Sequence, residues 1–164
     1  MGGTPGVTQA LESGRIEVGI LGESGMLLVF QAKVRQLKGA SARELGIAGL
    51  DAPLTTTERK LKRDRGAVLR FVQAYVEAIH YFKTNKTGTV RVLQKYMRGL
   101  SEQQVGAWVD DVKDNLEAAP YPDDAGLRSE LEQVNAPKSQ APAYFVDRSI
   151  LDEIKKSGFM DRLQ

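Results

Sequence analysis

The chain has 164 residues, enough for one domain with a core, and its 41% hydrophobic and 27% charged residues are ordinary globular proportions. Its 23 basic and 21 acidic residues are interspersed and leave a net charge of +2, which supplies no basic face for nucleic acid. The absence of cysteine excludes disulfides, thiolate metal sites and a cysteine nucleophile, and a single histidine, His80, excludes a multi-histidine metal site. No apolar run is long enough to span a bilayer, so no membrane insertion is expected. The opening MGGTPG lacks the basic region, apolar stretch and cleavage site of a secretory signal, so the chain as it stands reads as cytoplasmic.

Val7 to Ser13 reads as a short helix, with Thr8 near its start and Gly14 just past its end. Arg15 to Leu21 alternates Ile16, Val18 and Ile20 with Arg15, Glu17 and Gly19, which predicts a strand. Gly22 to Gly25 is a turn, and Met26 to Leu37 has helical spacing up to Gly39. Leu45 to Leu50 predicts a second short strand before the breaker Asp51-Ala52-Pro53. Helix, strand, turn and helix in that order are the rhythm of an α/β layer. Thr57 to Arg63 predicts a short helix whose basic run is a solvated face.

Arg65 to Lys83 is the clearest amphipathic helix. Val68, Leu69, Val72, Tyr75, Val76, Ile79 and Phe82 recur at spacings that place them on one side. A helix from Thr87 to Arg98 follows, closed by Gly99. Ser101 and Gln104 form a capping box, with Leu100 and Val105 as its hydrophobic staple. The helix they start carries Val105, Trp108, Val109, Val112 and Leu116 on one stripe, and Pro120 and Pro122 stop the chain from continuing it. Asp123 or Asp124 caps the next helix, with Leu127, Leu131 and Val134 as its apolar positions. Asp147 or Ser149 starts the last helix, which contains Ile150, Leu151 and Ile154 and ends at Gly158. The expected fold is α/β and helix-rich, a single domain with a small sheet in an α/β part over 1–56 and a helical part over 57–164.

Val7 to Leu21, Ala67 to Met97, Tyr121 to Val134 and Tyr144 to Phe159 together resemble, in order and spacing, the C-terminal half of one family. It is the nitrate/sulfonate/taurine and thiamine-precursor type of periplasmic substrate-binding protein, the soluble ligand receptors of ABC transporters. The resemblance implies a partial periplasmic-binding-protein-like lobe, a small anion or heterocyclic precursor as ligand, and no catalysis. It also implies no cofactor, an ABC transporter permease as partner, and a periplasmic location. Family members are about twice this length, so a truncated unit is expected, one that forms a homodimer to cover apolar surface. Glu17-Val18-Gly19 stands where the family's cleft strand carries an aspartate motif, and Gly49 to Thr56 lacks the family's tyrosine-proline.

In that reading Gly22, Glu23, Ser24 and Gly25 face the ligand, because open α/β sheets bind at the carboxyl ends of their strands. The blander reading is a tight turn made by two glycines. A rival reading takes Gly22-Glu23-Ser24-Gly25-Met26 as a nucleophile elbow, with Met26 where the last glycine belongs. Ser24 and His80, with an acid such as Asp111 or Asp110, would then form the triad of a small hydrolase acting on esters or lactones. The acidic groups Asp110-Asp111-Asp114 and Asp123-Asp124 lack the spacing of a calcium loop and read as solvated or capping residues, so no metal is expected. A third reading is an interaction module with no pocket.

Overall fold

The structure is a computed structural model, and it describes residues 3–21, 33–35, 37, 39, 45, 54–97, 99–114, 116–137 and 141–163. Seven α-helices occur among them: α1 (Gly3–Glu12), α2 (Glu58–Arg63), α3 (Arg65–Thr84), α4 (Lys86–Leu93), α5 (Glu102–Lys113), α6 (Asp124–Gln133) and α7 (Ser149–Lys156). Two 3-10 turns, Pro142–Phe145 and Asp161–Leu163, complete the regular elements. The chain divides into two compact units, Met1–Ser41 with Asn85–Lys113, and Ala42–Thr84 with Asp114–Gln164.

The expected α/β fold is therefore corrected: no strand occurs among the described residues. The alternating segment 15–21 follows α1 as irregular chain. Gly14 sits at φ +68, its N–H donates to the Leu11 carbonyl, and the Arg15 N–H reaches back to the Ala10 carbonyl at 2.9 Å. This pair of bonds is a Schellman closure, which spends the local backbone donors on the helix end. Alternation makes a strand only when a second strand takes up the N–H and C=O groups left over. No such partner lies among the described residues, and Ile20 is 95% exposed. Gly19 lies against α1 so closely that a Cβ there would sit 2.7 Å from Val7 Cγ1. The glycine thus serves close approach to a helix. The expected strand Leu45 to Leu50, Leu45 itself excepted, and most of the expected helix Met26 to Leu37 fall outside the described residues.

In the second unit the core forms where α7 packs on α3. Val72 and Val76 of α3 meet Ile150, Leu151 and Ile154 of α7, with Val68, Leu69, Tyr121 and Phe159 packed around them. Spacings of four on α3, and of one and four on α7, put these side chains on facing stripes. Burying each aliphatic side chain contributes roughly 1.5–3 kcal/mol, which holds an eight-residue helix that would not persist alone. Polar contacts fix the register. Arg65 donates to Glu153 at 2.8 Å and to the Ser149 hydroxyl at 3.1 Å, and the Tyr121 hydroxyl donates to Asp152 at 3.0 Å. Arg148 donates to Asp124 and to the Pro122 carbonyl, tying the starts of α6 and α7 together.

The helix ends follow local chemistry. Thr57 accepts from the Lys60 N–H at 3.1 Å, and Asp123 accepts from the Gly126 N–H at 2.6 Å. Ser101 and Gln104 bond reciprocally at 3.2 and 2.9 Å. α4 is shorter than expected. Its side-chain cap is Asn85, and beyond Leu93 the Lys95 and Tyr96 N–H groups switch to carbonyls three residues back, tightening the chain into turns before Gly99 at φ +87. At α7, Asp147 accepts from both the N–H and the hydroxyl of Ser149.

Those Ser149 bonds, with Arg65 nearby, hold the Asp147 carboxyl below the usual carboxylate range. A folded pKa below the unfolded one gives stabilisation that is present above the unfolded value and lost as pH falls through the folded value. Ser149→Ala is expected to remove part of that acid-sensitive term, about 0.5 kcal/mol for so exposed a group. Urea unfolding should show the wild type losing its advantage over the variant between neutral pH and pH values below the carboxylate range, and a pH-independent difference would refute the assignment.

Candidate functional site

The first unit carries a groove between α4 and α5. α4 begins where Asn85 accepts from the Gly88 N–H at 2.9 Å, which places Lys86 and Thr87 in its first turn. α5 begins at the capping box, which places Glu102 and Gln103 in its first turn and brings Gly106, Ala107 and Asp110 along the same side. The two helices approach at Gly106, which is buried. A Cβ there would stand 3.5 Å from Lys86 Cε and 3.9 Å from Val90 Cγ2. Thr89 and Val90 of α4 are buried, as are Val105 and Val109 of α5.

The groove has a volume of about 610 Å³ and is open to solvent along its length, lined by Lys86, Thr87, Val90, Glu102, Gln103, Gly106, Ala107 and Asp110. Lys86 donates to one Asp110 oxygen, and Lys113 donates to the other at 3.1 Å. Lys86 first, and Lys113 second, hold the Asp110 carboxyl below the usual carboxylate range. Val90, Gly106 and Ala107 are the apolar part of the lining. The lining offers an ammonium, carboxylates, an amide and a hydroxyl, groups that orient a bound molecule, and no histidine or lone carboxylate set against a nucleophile.

Space at Gly106 permits a test. Its added Cβ meets only ordinary van der Waals neighbours, and alanine is better than glycine inside a helix by about 0.8–1 kcal/mol. Gly106→Ala is expected to raise stability by up to about 1 kcal/mol in urea unfolding followed by Trp108 fluorescence. A loss of stability would show that α4 and α5 approach more closely than this.

Of the triad weighed from sequence, the structure describes only His80 and Asp111. Gly22, Glu23, Ser24 and Gly25 all lie outside the described residues. His80 is half-buried on α3 in one unit, and Asp111 is exposed on α5 in the other. Among the described residues no group of three acidic or histidine side chains is placed to hold a metal ion, and no helix is long and apolar enough to cross a membrane. Comparison of the chain with protein families, with curated proteins and with solved structures finds no match. The chain's own surface sets what it can bind.

That surface has a second feature, on α3. Opposite the buried Val72 and Val76, the exposed side carries Phe71, Ala74, Ala78 and Tyr81. Phe71 is 62% and Tyr81 43% exposed. In the same unit Tyr144 and Phe145, ring centroids 5.2 Å apart and edge to face, stand exposed, as does Val134 at the end of α6. The sequence reading assigned α3 one apolar stripe and missed this one. Its signal was present in the spacing of Phe71, Ala74, Ala78 and Tyr81, masked by the weak hydrophobicity of alanine.

Proposed function

We propose that this chain is a helical interaction module that binds protein through exposed apolar helix surface. The observation that carries the reading is Phe71, held largely in solvent on an apolar side of the helix whose other side forms the core. Large apolar side chains cost solubility when they face water, and grouped ones mark contact surfaces. Aromatic residues dominate the energetics of such contacts. The test is a photo-crosslinking residue placed at position 71, at 144, and at the exposed polar position 128 as control, in cells making the full chain. Adducts are expected from 71 or 144 and not from 128. Equal or absent adducts at all three would end the reading.

A second reading, binding of a small anion, is supported by the family resemblance and by one observation. Lys86 stands on the rim of a groove whose volume lies within the range of small-molecule sites. A carboxylate or sulfonate would compete with Asp110 for its ammonium. This reading keeps the ligand class and not the lobe with its sheet. A sulfonate at about a hundred times its dissociation constant should stabilise the chain by about 2.7 kcal/mol in thermal unfolding, and Lys86→Ala should abolish the shift. No shift with sulfonates, nitrate or simple carboxylates, or a shift that survives Lys86→Ala, would exclude it.

A further inference from the structure

The exposed side of α3 has a more specific pattern than hydrophobicity alone. Ala67, Phe71, Ala74, Ala78 and Tyr81 follow one another at intervals of four, three, four and three residues. That is the repeat of a coiled-coil seam, in which two helices lock side chains into one another. Ala74 and Ala78 are exposed, Ala67 is half-buried, and Phe71 and Tyr81 are the large members. The flanking positions differ on the two sides. One flank carries Arg70 and Glu77, both exposed, and the other carries Val68, Tyr75 and Phe82, all half-buried. The stripe is distinct from the one that builds the core, since Val72, Val76 and Ile79 lie on the far side of the helix.

We propose that the Ala67–Phe71–Ala74–Ala78 face of α3 docks a second copy of this chain, the two helices running antiparallel with Arg70 against Glu77 of the partner subunit. This rests on the interaction reading above and names its partner.

Charge complementarity selects both the partner and the direction. In an antiparallel pair, equivalent flanks face each other, so the flank with Arg70 and Glu77 meets itself. When Phe71 stands opposite Ala74 of the partner subunit, Ala67 stands opposite Ala78 of the partner subunit. In that same register Arg70 falls beside Glu77 of the partner subunit, and twofold symmetry repeats the pair. Large thus faces small in the central layers, which lets the backbones approach. Sliding by one heptad would set Glu77 against Glu77 of the partner subunit. A parallel pair would put Arg70 beside Tyr75 of the partner subunit and leave both charges without an opposite. Only the antiparallel register satisfies seam and charge together. The opposite flank then brings Tyr75 near Val68 of the partner subunit, extending the apolar contact.

The helix has 20 residues and is about 30 Å long. One helix pair of that length buries less than the roughly 1,600 Å² of a standard interface, so the dimer is a weak one in the micromolar range. The experiment is sedimentation equilibrium of the full chain from low micromolar to several hundred micromolar, with helicity checked by circular dichroism. Wild type is expected to show a reversible monomer–dimer equilibrium, and Phe71→Glu to be monomeric throughout. Arg70→Glu and Glu77→Arg, each alone, place like charges together twice per dimer and should weaken association about tenfold. An equal mixture of those two variants restores both opposite-charge pairs across a heterodimer and should associate as wild type does. Since Arg70 and Glu77 are exposed, neither change threatens the fold. A wild-type monomer at every concentration overturns the proposal. So does a dimer that Phe71→Glu leaves intact, or a mixture no tighter than its parts. A monomer that nonetheless crosslinks from position 71 to a protein of different mass overturns this inference and leaves the interaction reading standing.

Discussion

Ile154→Ala is expected to destabilise the second unit by about 3 kcal/mol, within the roughly 2–5 kcal/mol seen for truncating buried isoleucine or leucine to alanine. Ile154 is wholly buried, at 0% exposure, and sits among Val72, Val76, Ile150 and Leu151. The loss has two parts, the transfer free energy of the missing carbons and the cavity that α3 cannot close by itself. α7 has eight residues and rests on three buried side chains. Helices that short do not hold together in water without packing. The effect should therefore appear as a lower urea midpoint and as faster amide exchange along α7. Lys156→Ala, on the exposed side of the same helix, should stay within about 0.5 kcal/mol of wild type. Equal effects from the two variants would mean that α7 is not docked through Ile154.

The contrast between what could and could not be read from the sequence follows the range of the interactions. Thr57, Asp123 and the Ser101–Gln104 pair act within four residues, so their chemistry fixes their conformation whatever lies elsewhere. The buried stripe of α3 was legible for a similar reason, since a periodicity of 3.6 belongs to the helix itself. The strand expected over Arg15 to Leu21 depended on a partner strand, which alternation cannot supply. The nearer force there is local: Gly14 closes α1, and Gly19 packs the following chain on it. The groove required Lys86 and Asp110, 24 residues apart, to meet across two helices. Gly106, a glycine inside a helical pattern, stands where the two helices meet, but the space beside it would take a methyl group, so it marks the contact without being required by it. Asp110, which reads from the sequence as a solvated acid, is exposed and is also shared by two lysines.

Val109→Asp is expected to cost the first unit several kcal/mol at neutral pH, more than Val109→Ala, because an ionised carboxylate would replace a wholly buried methyl pair. Val109 and Val105 both have 0% exposure, on the side of α5 opposite its acidic surface. Burial disfavours the charged form, so the introduced carboxyl would have a folded pKa above its unfolded value. The folded state then holds the proton over a range where the unfolded state has released it. Stability of the variant should consequently be greatest below the unfolded carboxylate pKa and fall as pH rises toward the folded one. The wild type has no such term at this position. Trp108, the chain's single tryptophan, is half-buried next to the substitution and reports on this unit by fluorescence. The expected result is a deficit against wild type that shrinks as the solution is acidified from neutral to about pH 4. Val109→Asn, neutral and of similar size to the new side chain, separates charge from polarity: its deficit should not change with pH. A pH-independent deficit in Val109→Asp would mean that the carboxylate had escaped to water, and that α5 turns in its seat against α4 to release it.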